Sequence, residues 1–255
     1  MIIKVLMENT SKNNNITAEH GLSLYIETVN HKILFDTGQS DKFAENAKKL
    51  NVDLSKIDIA FISHGHYDHG DGIKHFLELN NTSPIYISSN AFESYFSSDE
   101  RFIGLNEELK QNKRFIFIND SLKIDNELEI FSCNNLERKY KSDTTDLNIK
   151  KNGKLIPDTF LHEQYLLINE NNKKILISGC SHKGILNIMD WFKPDILIGG
   201  FHFMNIDPLS DNKTILENSA QILNNYDTKY YTCHCTGTAQ FEFSKQIMGN
   251  NLNYI

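Results

Sequence analysis

Short β-branched runs in this chain repeatedly end in a histidine or a cysteine. IDIAFIS (57–63) runs into His64, KKILIS (173–178) into Cys180 and His182, DILIGGF (195–201) into His202, and KYYTC (229–233) into His234. Runs of this kind, bounded by Gly and polar residues and separated by helical spacing, read as strands of an α/β protein. Such folds place their chemistry on loops at the C-terminal ends of strands. Four strand ends carrying ligand-type side chains therefore predict one rim that collects them from distant parts of the chain.

The remaining pattern fits the same class. IIKVLM (2–7), LSLYIETV (22–29) and KILFD (32–36) read as hairpin strands, the last closed by Thr37 and Gly38. Phe43, Ala44, Ala47 and Leu50 at helical spacing predict a helix from Ser40, and others are expected near Ile73 to Leu79, Lys183 to Phe192, Asn212 to Asn224 and Ala239 to Met248. Strands are expected at Pro84 to Ser88 and at QYLLIN (164–169). With 255 residues, 40% of them hydrophobic, the chain can bury a full core as one domain over 1–255. The mixed stretch from about Asn90 to Asp158, with strand-like RFIFI (114–118) and LEIF (128–131), reads as an insertion covering the site.

Composition narrows the function classes. A net charge of −7 gives no basic footprint for nucleic acid. The opening MIIKVLMENTSKNNN is too polar for a signal peptide, and no run approaches the length of a membrane span, so the expected setting is cytoplasmic, with a small molecule as partner. Cys133, Cys180, Cys233 and Cys235 form no CxxC pair and read as reduced thiols.

The chemistry concentrates in SHGHYDHGDG (63–72), where three imidazoles and a carboxylate fall within six positions. Imidazoles packed this closely repel one another on protonation, whereas a divalent metal favours their neutral form. His64 and His66, two apart on an extended segment, project to one side and can chelate one ion. Asp68 and His69 point differently after the turn at Tyr67, so one can join the first ion and the other reach a second. A chance run of surface histidines is the bland alternative, and these spacings are rare outside metal sites. Zinc suits such donors, with manganese and iron as competitors.

HGHYDH resembles the HxHxDH signature of the metallo-β-lactamase superfamily, and LFDTG (34–38) resembles an earlier element of it. The resemblance implies a four-layer αββα sandwich carrying two divalent metal ions. It makes His64, His66 and His69 ligands of one metal, Asp68 a ligand of the other, and Asp36 a residue that orients a histidine, the alternative for Asp36 being a turn-forming role. EHGLS (19–23), SGCSHKGI (178–185), GGFHF (199–203) and HCTG (234–237) together resemble a subgroup of ribofuranosylaminobenzene phosphate synthase-like and other metal-dependent hydrolases. In this subgroup Cys180 stands where many members carry a bridging aspartate. His182 is then assigned to the first metal and His234 to the second, with His162 the alternative to His182.

Cys180 has two readings, a zinc thiolate or a buried thiol, and the second is the commoner fate of a cysteine at a strand end. On an extended YTCHCTG, His234 points away from Cys233 and Cys235, which are then packing residues. His202 has two readings, beside substrate or second metal, or as a core-edge histidine. Asp68 and His202 are the candidate catalytic residues. The expected activity is hydrolysis of a phosphoester, thioester or lactone by hydroxide held on a dinuclear metal site. A transferase joining a ribosyl phosphate donor to an aminobenzoate-type acceptor, its phosphate held by Arg101, Arg114, Arg138 or Lys141, is the alternative. A metal-bearing binding or sensor protein is a third.

Overall fold

The computed structural model describes residues 1–142 and 147–255. In chain order its elements begin with β1 (Ile2–Met7), β2 (Ser23–Glu27), β3 (Lys32–Phe35), α1 (Lys42–Lys49), β4 (Ile59–Phe61), α2 (Tyr67–Gly70), α3 (Ile73–Leu79) and β5 (Ile85–Ser88). There follow β6 (Tyr95–Phe96), β7 (Phe115–Ile118), β8 (Ser121–Lys123), β9 (Leu128–Phe131), β10 (Asn148–Lys151), β11 (Lys154–Pro157), β12 (Tyr165–Glu170) and β13 (Lys173–Ile177). The chain closes with α4 (Ile185–Phe192), β14 (Ile196–Ile198), α5 (Lys213–Asn224), β15 (Lys229–Thr232), α6 (Thr238–Met248) and β16 (Leu252–Tyr254). It divides into two units, Met1–Leu122 with Thr145–Gln164, and Lys123–Thr144 with Tyr165–Ile255.

The first unit is built on a six-stranded sheet in the order β1-β2-β3-β4-β5-β7. The hairpin strands β1, β2 and β3 pair antiparallel, whereas β3, β4, β5 and β7 run parallel. Helices α1 and α3 cover one face, where Phe43, Ala47, Ile73 and Phe76 join Leu34, Ala60, Ile62 and Ile85 in one apolar core. The intervening residues Ile33, Phe35, Ile59 and Phe61 are buried as well. This burial on both faces explains why the central strands read as unbroken apolar runs. Because β3 and β4 are parallel neighbours, Asp36 just beyond β3 reaches Ser63 just beyond β4, and its amide also donates to Phe61 O at 2.8 Å.

The second unit holds a seven-stranded sheet, β16-β15-β14-β13-β12-β9-β8. Strands β13, β14, β15 and β16 are parallel, and β12 is antiparallel to both β13 and β9. Its core joins Ile188 and Met189 of α4, Leu216 and Leu223 of α5 and Met248 of α6 to Leu176, Leu197, Tyr230 and Leu252 of the sheet. The stretch 90–158 is distributed among sheets: β7 is an edge strand of the first sheet, β9 a strand of the second, and β6, β10 and β11 form a three-stranded sheet of their own. Among the described residues no helix is long and apolar enough to cross a membrane.

Candidate functional site

In the first unit the segment after β4 folds into a tight, buried cluster. His66 is extended and precedes the single-turn helix α2, which carries Asp68 and His69. The ring centroids of His64 and His66 lie 4.6 Å apart and those of His64 and His69 4.1 Å apart. All three histidines are buried, as is Asp68. The chain passes through this space only because residue 65 is glycine: a Cβ there would sit 2.1 Å from Ala91 O.

Hydrogen bonds set the ring orientations. Asp36 is fully buried and accepts from Ser63 N at 2.7 Å, from Ser63 Oγ at 2.7 Å and from His69 Nδ1 at 2.6 Å. With its proton given to Asp36, Ser63 Oγ accepts from His64 Nδ1 at 2.9 Å. Both His64 and His69 are therefore held as Nδ1–H tautomers, which places each lone pair on Nε2. Burial pushes His66 down to about 3, so its ring is neutral across the physiological range. Burial opposes the charged form of His69 too, but the Asp68 and Asp36 charges outweigh it and raise its affinity for a proton. These buried, oriented, nitrogen-rich donors beside a carboxylate fit a divalent metal of the zinc type.

In the second unit the parallel arrangement of β13, β14 and β15 brings their C-terminal ends to one edge. Cys180 and His182 follow β13, His202 follows β14 and His234 follows β15. The rings of His182 and His202 are 4.5 Å apart, and donor atoms of Cys180, His234 and Cys235 lie within 4.8 Å of one another. The β13–β14 crossing is close, since a Cβ on Gly199, which has φ of 143°, would sit 1.9 Å from Ser178 O.

The expected extended form of YTCHCTG is not found. His234 adopts φ of 49° and opens a 3₁₀ turn over His234–Thr236, so His234 and Cys235 do not alternate across a strand and come to the same side. Cys235 is still well packed, donating its thiol to Cys180 O at 3.4 Å. His202, with φ of 57°, is half-buried at a small cavity of about 50 Å³ that Ser181, Lys141, Ser142 and Phe203 also line.

The first unit thus brings together His64, His66, Asp68 and His69, and the second pairs His182 with His202 and sets His234 beside two thiols. Asp36 is both a left-handed turn residue, at φ of 57°, and the partner of His69. His20, from the EHGLS segment, also reaches the cluster, with Nε2 3.2 Å from Asp68 Oδ2. Sequence reasoning missed Tyr95 and Asp158, which adjoin the cluster through His162. Asp158 lies four residues before His162, a spacing that is a signal only once the backbone turn is known. Tyr95 lies in a stretch without usable periodicity. Asp71 was also not singled out; burial and the nearby Asp68 charge push its carboxyl up to about 6.

This arrangement of strand ends, with HxHxDH after one strand and histidines after three more, defines an α/β protein with buried histidine clusters suited to metal. Residues 16–203 match the model of the metallo-beta-lactamase superfamily, and the chain belongs to that superfamily. Its fold is accordingly the one expected from the sequence, with two mixed sheets and flanking helices. The chain is 32% identical to uncharacterized protein MJ0448 of Methanocaldococcus jannaschii, over 99% of this chain and 96% of that one. It is 29% identical to 7,8-dihydropterin-6-methyl-4-(beta-D-ribofuranosyl)-aminobenzene-5'-phosphate synthase of the same organism, over 88% of this chain and 83% of the relative. Among solved structures it resembles Tm1679, a metal-dependent hydrolase of the beta-lactamase superfamily, with 28% identity, a TM-score of 0.83 and coverage of 99% and 95%.

Proposed function

We propose that this protein is a metal-dependent hydrolase acting on an ester-type bond of a small molecule: a phosphoester, a thioester or a lactone. Its metal ligands are His64, His66, Asp68, His69, His182 and His234, and the metals are two divalent ions, zinc in the first place. The observation that carries this reading is the buried trio His64, His66 and His69, in which Ser63 and Asp36 fix two of the rings. Similarity to a metal-dependent hydrolase over nearly the whole chain supports it.

When bound, two divalent ions supply Lewis acidity that makes water acidic near neutral pH and draws charge from an ester oxygen. The chain's own residues set up the rest. Asp36 and Ser63 prevent the His69 and His64 rings from turning, and the low proton affinity of His66 keeps it ready to donate its lone pair. Asp68 Oδ2 accepts the proton of the attacking water, and His20, whose side chain is 42% exposed, passes it to solvent. His202, whose ring lies 4.5 Å from that of His182, is assigned the stabilisation of charge on the leaving group.

The test is metal content by elemental analysis together with turnover on a panel of phosphoesters, thioesters and lactones. About two equivalents per chain, reduced in His66→Ala and His182→Ala, and hydrolysis of one ester class, are expected. Full metal content and full activity in Asp68→Ala would sink the assignment.

A transferase reading rests on the 29% identical synthase and on one feature of the first unit. Arg101 lines a pocket of about 440 Å³ with Tyr67, Asp71, Phe102 and Asn106, its guanidinium 5.7 Å from the Tyr67 ring centre. Arg114 does not serve this role, because its guanidinium donates to Ser83 O and to Asn80. Binding of phosphate esters that Arg101→Ala abolishes, with no hydrolysis on the panel, favours the transferase.

A further inference from the structure

Both ring nitrogens of His162, in the first unit, have defined hydrogen-bond partners. Its Nδ1 accepts the backbone N–H of Gly65 at 2.8 Å. A peptide N–H can only donate, so Nδ1 carries no proton and its lone pair is spent. The proton sits on Nε2, which lies 3.0 Å from Asp158 Oδ2. Asp158 is oriented in turn by the Phe160 amide, 2.7 Å from its other oxygen, and the His162 bond helps hold its carboxyl below the usual range against the effect of burial. Tyr95 stacks on the ring, with centroids 3.9 Å apart at 28°, and anchors its hydroxyl on Asn90 O at 2.6 Å.

The donor of this bond is the amide of Gly65, the residue between His64 and His66. That peptide has no slack: Ala91 O occupies the place of a Cβ at Gly65. The rings of His66 and His64 lie 5.0 and 5.8 Å from the ring of His162, so a movement of the Gly65 peptide turns both. We infer that His162 is a positioning residue and not a metal ligand: it pins the Gly65 amide, and so fixes the angle between the two histidines on either side, while Asp158 and Tyr95 hold its ring. The rival is a further metal held by His66, Asp158 and His162, whose donor atoms lie within 4.8 Å of one another. It requires a metal in place of the Nε2 proton, on a ring whose other nitrogen is already an acceptor, and so demands an imidazolate.

The inference builds on the metal reading above, and the experiment separates the two. Amide exchange of Gly65 is followed in the metal-free protein, and zinc stoichiometry and affinity are measured by chelator competition, in wild type, His162→Ala, His162→Asn and Asp158→Asn. His162→Ala is expected to speed Gly65 exchange by about tenfold or more and to weaken zinc binding by about 10–100-fold at unchanged stoichiometry. His162→Asn is expected to restore most of both, since its Oδ1 can accept from Gly65. Asp158→Asn, which keeps His162, is expected to leave zinc stoichiometry unchanged and serves if His162→Ala does not fold. Loss of one zinc equivalent in both His162→Asn and Asp158→Asn overturns the inference in favour of the rival. Unchanged Gly65 exchange in His162→Ala overturns it outright. A wild type that binds no zinc refutes the metal reading, and the exchange measurement still tests the role of His162.

Discussion

Asp36→Asn is the most informative single substitution in the first unit, because it changes one atom and the consequences can be followed bond by bond. The backbone at φ of 57° tolerates asparagine, so no new strain enters there. If the new amide keeps its oxygen toward Ser63 N, its NH₂ faces His69 Nδ1 and Ser63 Oγ, both of which donate in the wild type. His69 must then move its proton to Nε2, the nitrogen expected to hold metal, and Ser63 Oγ must turn its proton away, which disturbs His64 Nδ1 as well. If the amide flips, two donors meet at Ser63 N. Either way at least one buried, charge-assisted bond is lost at a cost of about 1–3 kcal/mol. For a chain of this size that lowers the melting temperature of the metal-free protein by roughly 2–12 °C. Zinc affinity is expected to fall by about 10–100-fold. Calorimetry of the metal-free protein and chelator competition read the two effects. Ser63→Ala is the control: it leaves the bond between Asp36 and His69 in place and should cost less. An Asp36→Asn protein that melts within a degree of wild type and binds zinc equally well refutes the tautomer argument.

Asp71 has a folded-state pKa near 6 against an ordinary 3.8, so its stabilising contribution is complete below about pH 4 and is lost as pH rises through 6. In metal-free protein Asp71→Asn should therefore melt above wild type at pH 8 and level with it at pH 4; an equal gain at both would exclude the charge as the cause. Gly65→Ala forces a Cβ against Ala91 O and should cost roughly 3 kcal/mol or more, seen as a large drop in urea midpoint. Treatment with a chelator should lower the melting temperature reversibly, with zinc restoring it by an amount that grows with the logarithm of its free concentration, as linkage requires. His202→Gly relieves a left-handed backbone at φ of 57° and should raise the melting temperature of metal-free protein by a few degrees, for about 1 kcal/mol, while turnover falls. A lowered melting temperature there would show that contacts of the ring outweigh the strain.

Much of the fold was legible because both faces of the central strands are buried. KILF and IAF carry apolar residues at every position, and such runs stand out from their surroundings. The amphipathic helices α1, α4 and α5 were legible for the complementary reason, an apolar stripe at helical spacing. What escaped reading was short or paired only at long range. LNY of β16 is three residues long and becomes a strand only because β15 lies beside it in parallel. β10 and β11 are rich in lysine and are held as a hairpin by turn geometry at Asn152 and Gly153, both with positive φ. In the site, HGHYDH was legible because metal ligation needs several donors at close spacing. His162, Tyr95 and Asp158 act through a backbone amide, and no side-chain pattern announces which amide will need an acceptor.

Four strand ends beside the clusters share one backbone device, which the end of β4 lacks. Asp36 after β3, Ser181 after β13, His202 after β14 and His234 after β15 all have positive φ, between 49° and 61°. A left-handed residue breaks the ladder at once and turns the chain, so the side chain next to the break leaves along the sheet edge and not across its face. For a residue other than glycine this costs about 1–2 kcal/mol. Glycine would remove that cost at every one of these positions, yet each carries a polar side chain. At Asp36 the reason is visible, since the carboxylate that strains the backbone is the one that orients His69. The proposed function extends the same logic to His202 and His234, where the left-handed backbone carries an imidazole whose removal is expected to relieve strain and to lower turnover. Strain of this kind persists where the surrounding structure overdetermines it, and parallel neighbours such as β13, β14 and β15 do so by fixing each strand end from both sides.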